Sequence, residues 1–296
     1  MPDFLLGAAS PETGIAIFAT ITTDLVREIQ QRHDLWPTAT AAVGRLATGA
    51  VLFAAGLKGR ERISLHINGT GRLESLTADA WLLDENALGA RGYTRHPHVD
   101  LPLDNRGKFD VGSAIGAGSL QVTRSYEVGQ PYVGVVPLET GEVAEDLAVY
   151  LAQSEQIPSV VALGVLANPN GVIAAGGVLA QVLPGADERA VAALEGRALA
   201  MPPVTQLIAE GADAETLLRA IGGNTELRAQ RSIHVRFACL CTPQKVEAML
   251  LGLGSDELRQ MAANRNETEA VCEFCKKPYV FSGQDILALA DRSRYN

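Results

Sequence analysis

The stretch FACLCTPQK, residues 237–245, places Cys239 and Cys241 one residue apart, and VCEFCKKPY, residues 271–279, supplies Cys272 and Cys275. The 296-residue chain has four cysteines, so every thiol lies in one of two tight pairs near the C-terminus, 30 residues apart. Tetrahedral zinc takes four thiolates, commonly donated as two close pairs from two turns. The intervening length is enough for two helices to fold back and bring the pairs together. Cys239, Cys241, Cys272 and Cys275 are therefore the expected ligands of one Zn2+ ion. One pair is Cys-x-Cys, a rarer knuckle than Cys-x-x-Cys. Each pair is also close enough to form a disulfide once freed, the Cys239–Cys241 loop being the tighter and more strained. Metal-bound sulfur is thiolate, the form that oxidants attack. Lys276 and Lys277, next to Cys275, are expected to favour the anionic sulfur further. Spacing alone does not separate an inert structural clamp, the commoner fate of such a site, from a redox switch held by metal.

The segment around these thiols, 238–296, reads as a small unit of its own. Thr242 and Pro243 suit the N-cap and first position of a helix ending before Gly252. Ser255-Asp256-Glu257 starts another, YVFS is a strand, and SGQDILALA a closing helix. Such a unit is too small to hold together on its apolar residues alone. Zinc binding in such sites is worth on the order of 10–16 kcal/mol, and that energy becomes folding energy.

Upstream, residues 1–184 read as one α+β domain. GIAIFATI (14–21) is a strand pattern, DLVREIQQRH (24–33) a helix, and 38–57 a buried Ala/Leu/Val helix opened by Pro37. RISLHINGTG, SLQVTRSY and PYVGVV read as strands, and EVAEDLAVYLAQSEQ as a helix with Val143, Leu147, Tyr150, Leu151 and Ser154 on one stripe. SVVALGVL and VIAAGGVLAQVL form a hairpin, with a tight turn expected at Asn170-Gly171. Clustered strands with separate helices indicate α+β rather than regular βαβ winding. Residues 185–237 differ: short helical patterns broken by Gly196, Pro202, Pro203 and Gly211, then the strand SIHVRF. None of these helices is long enough to be stable alone. The segment must pack on a neighbour and would detach readily.

Net charge is −9, with 47% hydrophobic and 20% charged residues. That balance excludes nucleic-acid binding as the leading reading, because a basic surface supplies most of that affinity. The N-terminus lacks the basic region of a signal peptide, and no membrane span is expected, so the expected compartment is cytoplasmic. In a reducing compartment four cysteines are metal ligands or redox groups rather than permanent disulfides. An enzyme is disfavoured. Four cysteines fill a zinc shell, whereas catalytic zinc keeps a position open. His234 in SIHVRF reads as a strand residue, His33 and His66 are isolated, and His96 and His98 in RHPH sit in a loop. GSAIGAGS and IAAGGV lack the spacing of a phosphate loop. A thiol-disulfide oxidoreductase built on Cys272 and Cys275 would need a thioredoxin-like context that the flanks do not provide.

Taken together, CLC…CEFC and the intervening CTPQKVEAMLLGLGSDEL resemble the thirty-three-kilodalton heat-shock protein family of redox-regulated holdase chaperones. QRH (31–33), VGRLATGAVLFAAGLKG (43–59), GARGY (89–93), GEVAEDLAVYLAQSEQIPS (141–159) and AAGGVLAQVLPGA (174–186) are similar to its hallmark stretches, so the resemblance spans essentially the whole chain. It implies a non-enzymatic, ATP-independent chaperone with an N-terminal core domain (1–184), a metastable helical linker (185–237) and a zinc redox-switch domain (238–296). Reduced, the four cysteines hold zinc and the chaperone is inactive. Oxidised, Cys239 pairs with Cys241 and Cys272 with Cys275, zinc is released, linker and tail lose structure, and a homodimer binds unfolding client proteins.

Overall fold

The computed structural model describes residues 2–168 and 170–293. Two compact units divide at Ala238 and Cys239. In the first, β1 (Phe4–Ser10) and β2 (Ile15–Ile21) precede α1 (Thr23–His33) and α2 (Pro37–Phe53), which a 3-10 turn extends to Gly56. A meander of β3 (Arg62–Gly69), β4 (Ser75–Asp84) and β5 (Ala87–Thr94) follows, then α3 (Val111–Ile115), β6 (Gly118–Ser125), β7 (Tyr132–Pro137) and α4 (Val143–Gln153). The hairpin β8 (Ser159–Asn168) and β9 (Gly171–Val182) leads to α5 (Glu188–Ala200), α6 (Val204–Ala209) and α7 (Ala214–Gly222), and β10 (Arg228–Phe237) closes the unit. All ten strands form one sheet in the order β7-β6-β3-β4-β5-β10-β1-β2-β9-β8. Strand β10 lies in its middle, parallel to β5 and antiparallel to β1. The architecture is α+β, as expected. In the β8–β9 hairpin Asn168 pairs with Gly171, so the turn lies one residue earlier than expected; Pro169 is outside the described residues.

Helix α2 is the axis of the core. Every residue from Thr38 to Phe53 is buried. Its alanines and glycines let helices and strands close in from all sides. A Cβ at Gly49 would sit 2.5 Å from Leu147 of α4, and one at Gly44 2.7 Å from Val26 of α1. The buried threonines are satisfied locally: Thr48 Oγ1 bonds Gly44 O at 2.8 Å and shares a 2.7 Å contact with Thr22 Oγ1. The window Pro37–Gly56 is long and apolar enough to cross a membrane, but 89% of it is buried inside this fold, where it serves as the core helix.

The helices of 185–237 cover the opposite sheet face. Ile15, Ile17, Ala19 and Ile21 of β2, with Val178 and Ala180 of β9, form an apolar face. Leu194, Val204, Leu217, Leu218 and Ile221 of α5, α6 and α7 bury against it. Asp187 and Asp213 cap α5 and α7, each accepting a backbone N–H three residues on. Of the 13 residues of α5 only Leu194 is buried, so most of its surface stays wet.

Helix α1 is capped from a distance. Thr22 makes no side-chain cap; instead the buried Asp3 carboxylate accepts the N–H groups of Asp24 (3.1 Å) and Leu25 (2.7 Å). Burial pushes Asp3 up to about 6, against the lowering effect of those two bonds. The folded state therefore binds the Asp3 proton more tightly than the unfolded chain does, and its stability falls as pH rises from about 4 to about 6. In urea titrations followed by tryptophan fluorescence, Asp3→Asn will flatten that slope. The stability difference between wild type and variant will shift by on the order of 2–3 kcal/mol across the interval, in favour of the wild type at the acid end.

The second unit holds α8 (Pro243–Leu251), α9 (Ser255–Asn264), the hairpin of β11 (Glu267–Val271) and β12 (Pro278–Ser282), and α10 (Gly283–Arg292). Thr242 caps α8 by accepting Lys245 N, with Pro243 at the first position. Ser282 and Asp285 form a capping box at α10. Seven buried side chains make up its core, among them Leu258, Phe281, Ile286 and Leu289.

Candidate metal centre

The first cysteine pair precedes the capped N-terminus of α8, and the second occupies the tip of the β11–β12 hairpin. That tip is pinned by Cys272 N to Lys277 O (3.0 Å) and Lys276 N to Cys272 O (2.8 Å). Lys276 adopts a left-handed conformation, φ +57°, which lets the chain turn back toward β12 directly after the Cys-x-x-Cys loop. All four Sγ atoms lie within 4.8 Å of one another. Close approaches run between the pairs, Cys239 to Cys272 at 3.7 Å and Cys241 to Cys275 at 3.3 Å. A disulfide needs about 2.05 Å, so all four are reduced thiols. Sulfurs around a tetrahedral ion with metal–sulfur bonds of about 2.3 Å sit roughly 3.8 Å apart. The donor set and its spacing thus fit one tetrahedral metal ion.

The surroundings also suit such an ion. Backbone N–H groups of Phe274 and Cys275 point at Cys272 Sγ, and that of Lys277 at Cys275 Sγ. Tyr279 Oη donates to Cys241 Sγ at 3.1 Å. Outer hydrogen bonds of this kind orient ligands and spread their charge. Without a cation, burial raises the Cys272 thiol and pushes Cys275 up to about 12. The Lys277 backbone N–H opposes this shift at Cys275, while the ammonium groups of the two lysines have other partners, Lys276 Nζ pairing with Glu273 at 2.8 Å and Lys277 Nζ lying over the Tyr279 ring. A divalent ion is what would hold these sulfurs as thiolates.

The histidines are engaged elsewhere. His66 bonds Thr77 and Asn68, His96 faces Glu74, His98 faces Asp34, and His234 packs its ring on Phe4. His96 and His98 therefore do not act as a metal pair. Among the described residues the four cysteines are the one cluster able to hold a metal. Sequence reasoning missed Tyr279: its place two residues past Lys277 in the returning strand was visible, but not the turn of its hydroxyl toward Cys241.

The model of the Hsp33 protein family matches residues 3–282. The chain belongs to the Hsp33 family. Two Hsp33 relatives, the 33 kDa chaperonins of Bacillus licheniformis and Desulforamulus reducens, are each 38% identical, over 98% and 99% of this chain and 99% and 98% of their own. The crystal structure of the Hsp33 homologue from Thermotoga maritima, a 33 kDa chaperonin, superposes with a TM-score of 0.91 at 32% identity and covers all of both chains. The Hsp33 fold therefore extends through the thiol cluster as well as the large sheet.

Proposed function

We propose that this chain is a cytoplasmic, ATP-independent holdase chaperone, not an enzyme, whose activity is gated by its four cysteines. The observation that carries the reading is the four-thiol cluster, which links two chain segments 30 residues apart. The relatives' name, chaperonin, points the same way. When bound, Zn2+ supplies a crosslink between the pairs and keeps the sulfurs as thiolates. Peroxide takes two electrons from each pair and leaves as water. Cys239 then bonds Cys241 and Cys272 bonds Cys275, and the sulfurs no longer serve as ligands. These bonds close loops of only a few residues, so they remove little chain entropy and do not replace the link between the pairs.

The boundaries follow from the same reading: a core domain over 1–184, a linker over 185–237 and a switch domain over 238–296. The linker's helices are short and bury a limited apolar stripe. Their release bares the β2–β9 face of Ile15, Ile17, Ile21 and Val178, together with the linker's own Leu217, Leu218 and Ile221. Apolar surface of this kind binds unfolding client proteins and favours a homodimer. Light scattering of a thermally aggregating client tests the proposal. Peroxide-treated protein will suppress aggregation at near-stoichiometric ratio, while reduced, zinc-loaded protein will not. Equal suppression in both states removes the switch; suppression in neither removes the chaperone. Mass mapping of the oxidised thiols decides the pairing. Bonds between the pairs, Cys239 to Cys272 and Cys241 to Cys275, would preserve the link and contradict the mechanism.

A further inference from the structure

The β11–β12 hairpin reaches back to the first cysteine pair through the side chain of Tyr279. This residue stands on β12 opposite Ala270, and its ring is buried in the small core with Leu258, Phe281 and Ile286. Lys277 Nζ lies 5.3 Å from the ring centre. Strand, core and cation together fix where the hydroxyl points, and it donates to Cys241 Sγ at 3.1 Å across 38 residues of sequence. The N–H bonds to Cys272 and Cys275 differ in kind, since they come from backbone groups of the same hairpin. The Tyr279 bond instead joins one pair's hairpin to the other pair's knuckle, in parallel with the link a metal ion makes.

Cys241 is restrained on its other side as well. Lys245 Nζ donates to Leu240 O at 2.7 Å, and Thr242 caps α8, so both neighbours of Cys241 are tied to the helix that follows. Cys241 Sγ lies within 4.8 Å of Cys239 Sγ, whereas a disulfide requires about 2.05 Å. The hydroxyl favours the starting state over the product. A hydrogen bond to a thiolate is charge-assisted, and that advantage disappears when the sulfur gives up its charge to a disulfide.

We infer that Tyr279 is a positioning residue of the switch: its hydroxyl restrains Cys241 as thiolate and slows closure of the Cys239–Cys241 disulfide, setting how much oxidant the first pair withstands. The inference rests on the redox reading proposed above and concerns its rate. In the step that is slowed, one sulfur of the pair attacks a peroxide oxygen and the O–O bond breaks. A sulfenic acid forms, and hydroxide leaves and takes up a proton. The second sulfur then displaces the sulfenic hydroxyl, which leaves as another water with a second proton from solvent. The pair loses two electrons and peroxide gains them. Whichever sulfur attacks first, Cys241 must surrender its charge, and with it the full strength of the Tyr279 bond.

The test uses reduced, zinc-loaded full-length protein exposed to excess peroxide. Samples are quenched with acid and an alkylating reagent at intervals, and both disulfides are quantified by mass mapping. Tyr279→Phe keeps the ring and removes the donor. The initial rate of Cys239–Cys241 closure will rise roughly three- to tenfold, the share of a charge-assisted hydrogen bond lost on the way to the transition state. Its ratio to the initial rate of Cys272–Cys275 closure will rise too. Phe281→Leu, which loosens the same core and keeps the hydroxyl, will leave that ratio unchanged. An unchanged ratio in Tyr279→Phe overturns the inference, and so does an equal rise in Phe281→Leu, which makes loosening the cause. Failure of Tyr279→Phe to load stoichiometric zinc also overturns it, since the hydroxyl then builds the site and does not time it. If wild type forms neither disulfide, or pairs its cysteines between the two segments, the redox reading fails and this inference with it. An unchanged ratio beside normal disulfides leaves that reading standing.

Discussion

Serine at both Cys272 and Cys275 will strip the chain of stoichiometric zinc and unfold the segment from Cys239 onward, while the large sheet stays folded. The two halves of that statement are separately readable. Both tryptophans, Trp36 and Trp81, lie in the first unit, so the fluorescence-detected transition will stay within a few degrees of wild type. The far-UV helical signal contributed by α8, α9 and α10 will be lost. The size of the effect follows from what the unit has besides metal. Seven buried side chains are a small core for a segment of this length, and exposed ion pairs such as Lys276–Glu273 add at most about 1 kcal/mol. A bound ion contributes on the order of 10–16 kcal/mol. Chelator treatment of reduced wild type will reproduce the result, and zinc will reverse it. Retention of the full helical signal in metal-free protein would sink the claim that the ion holds this unit together.

A second large effect is expected far from the thiols. Asp79 on β4 is 1% exposed and pairs with both Arg62 and Arg91, the latter at 2.7 Å. Ser64 Oγ adds a 2.6 Å bond to its other oxygen, and the Arg91 guanidinium lies 5.4 Å from the Trp81 ring centre. Asp79→Ala leaves two guanidinium groups against the sheet without their carboxylate. The expected loss is about 3–5 kcal/mol, against about 1 kcal/mol or less for an exposed pair. Urea unfolding followed at Trp81 measures it. Pairing Asp79→Leu with Arg91→Met will cost less than the sum of the single changes, since the double variant leaves fewer uncompensated charges. An additive double variant would show that the ion pair is not the source of the loss.

The thiol cluster was legible because its information is local. Cysteine spacing, the Thr242-Pro243 cap and the Ser282–Asp285 box are all read within a few residues. Helix α2 was equally plain, being apolar throughout. Strands β1, β4 and β5 do not stand out in the sequence. Segments such as FLLGAAS and ALGARGY are covered on both faces and rich in glycine and alanine, so they lack the alternation that marks a half-buried strand. Strand β10 begins at Arg228, earlier than SIHVRF suggests, because RAQR carries charges that a central strand ordinarily avoids; Arg228 reaches Glu12, and Arg231 reaches the carbonyls of Ala55 and Leu57. The side-chain partners of the lysines beside Cys275 were not legible either. Their partners, Glu273 and the Tyr279 ring, are set by the hairpin and not by adjacency to sulfur.

The position of β10 has a consequence for biogenesis. As the ribosome works from one end, β7-β6-β3-β4-β5 and β1-β2-β9-β8 can each assemble early, yet no strand hydrogen-bonds one to the other until residues 228–237 emerge, and the two are bridged instead by α1, α2 and α4, which pack against both. The nascent chain must therefore carry two open strand edges, on β5 and β1, until then, and a message truncated before codon 228 would yield two half-sheets held across that gap by helix packing alone.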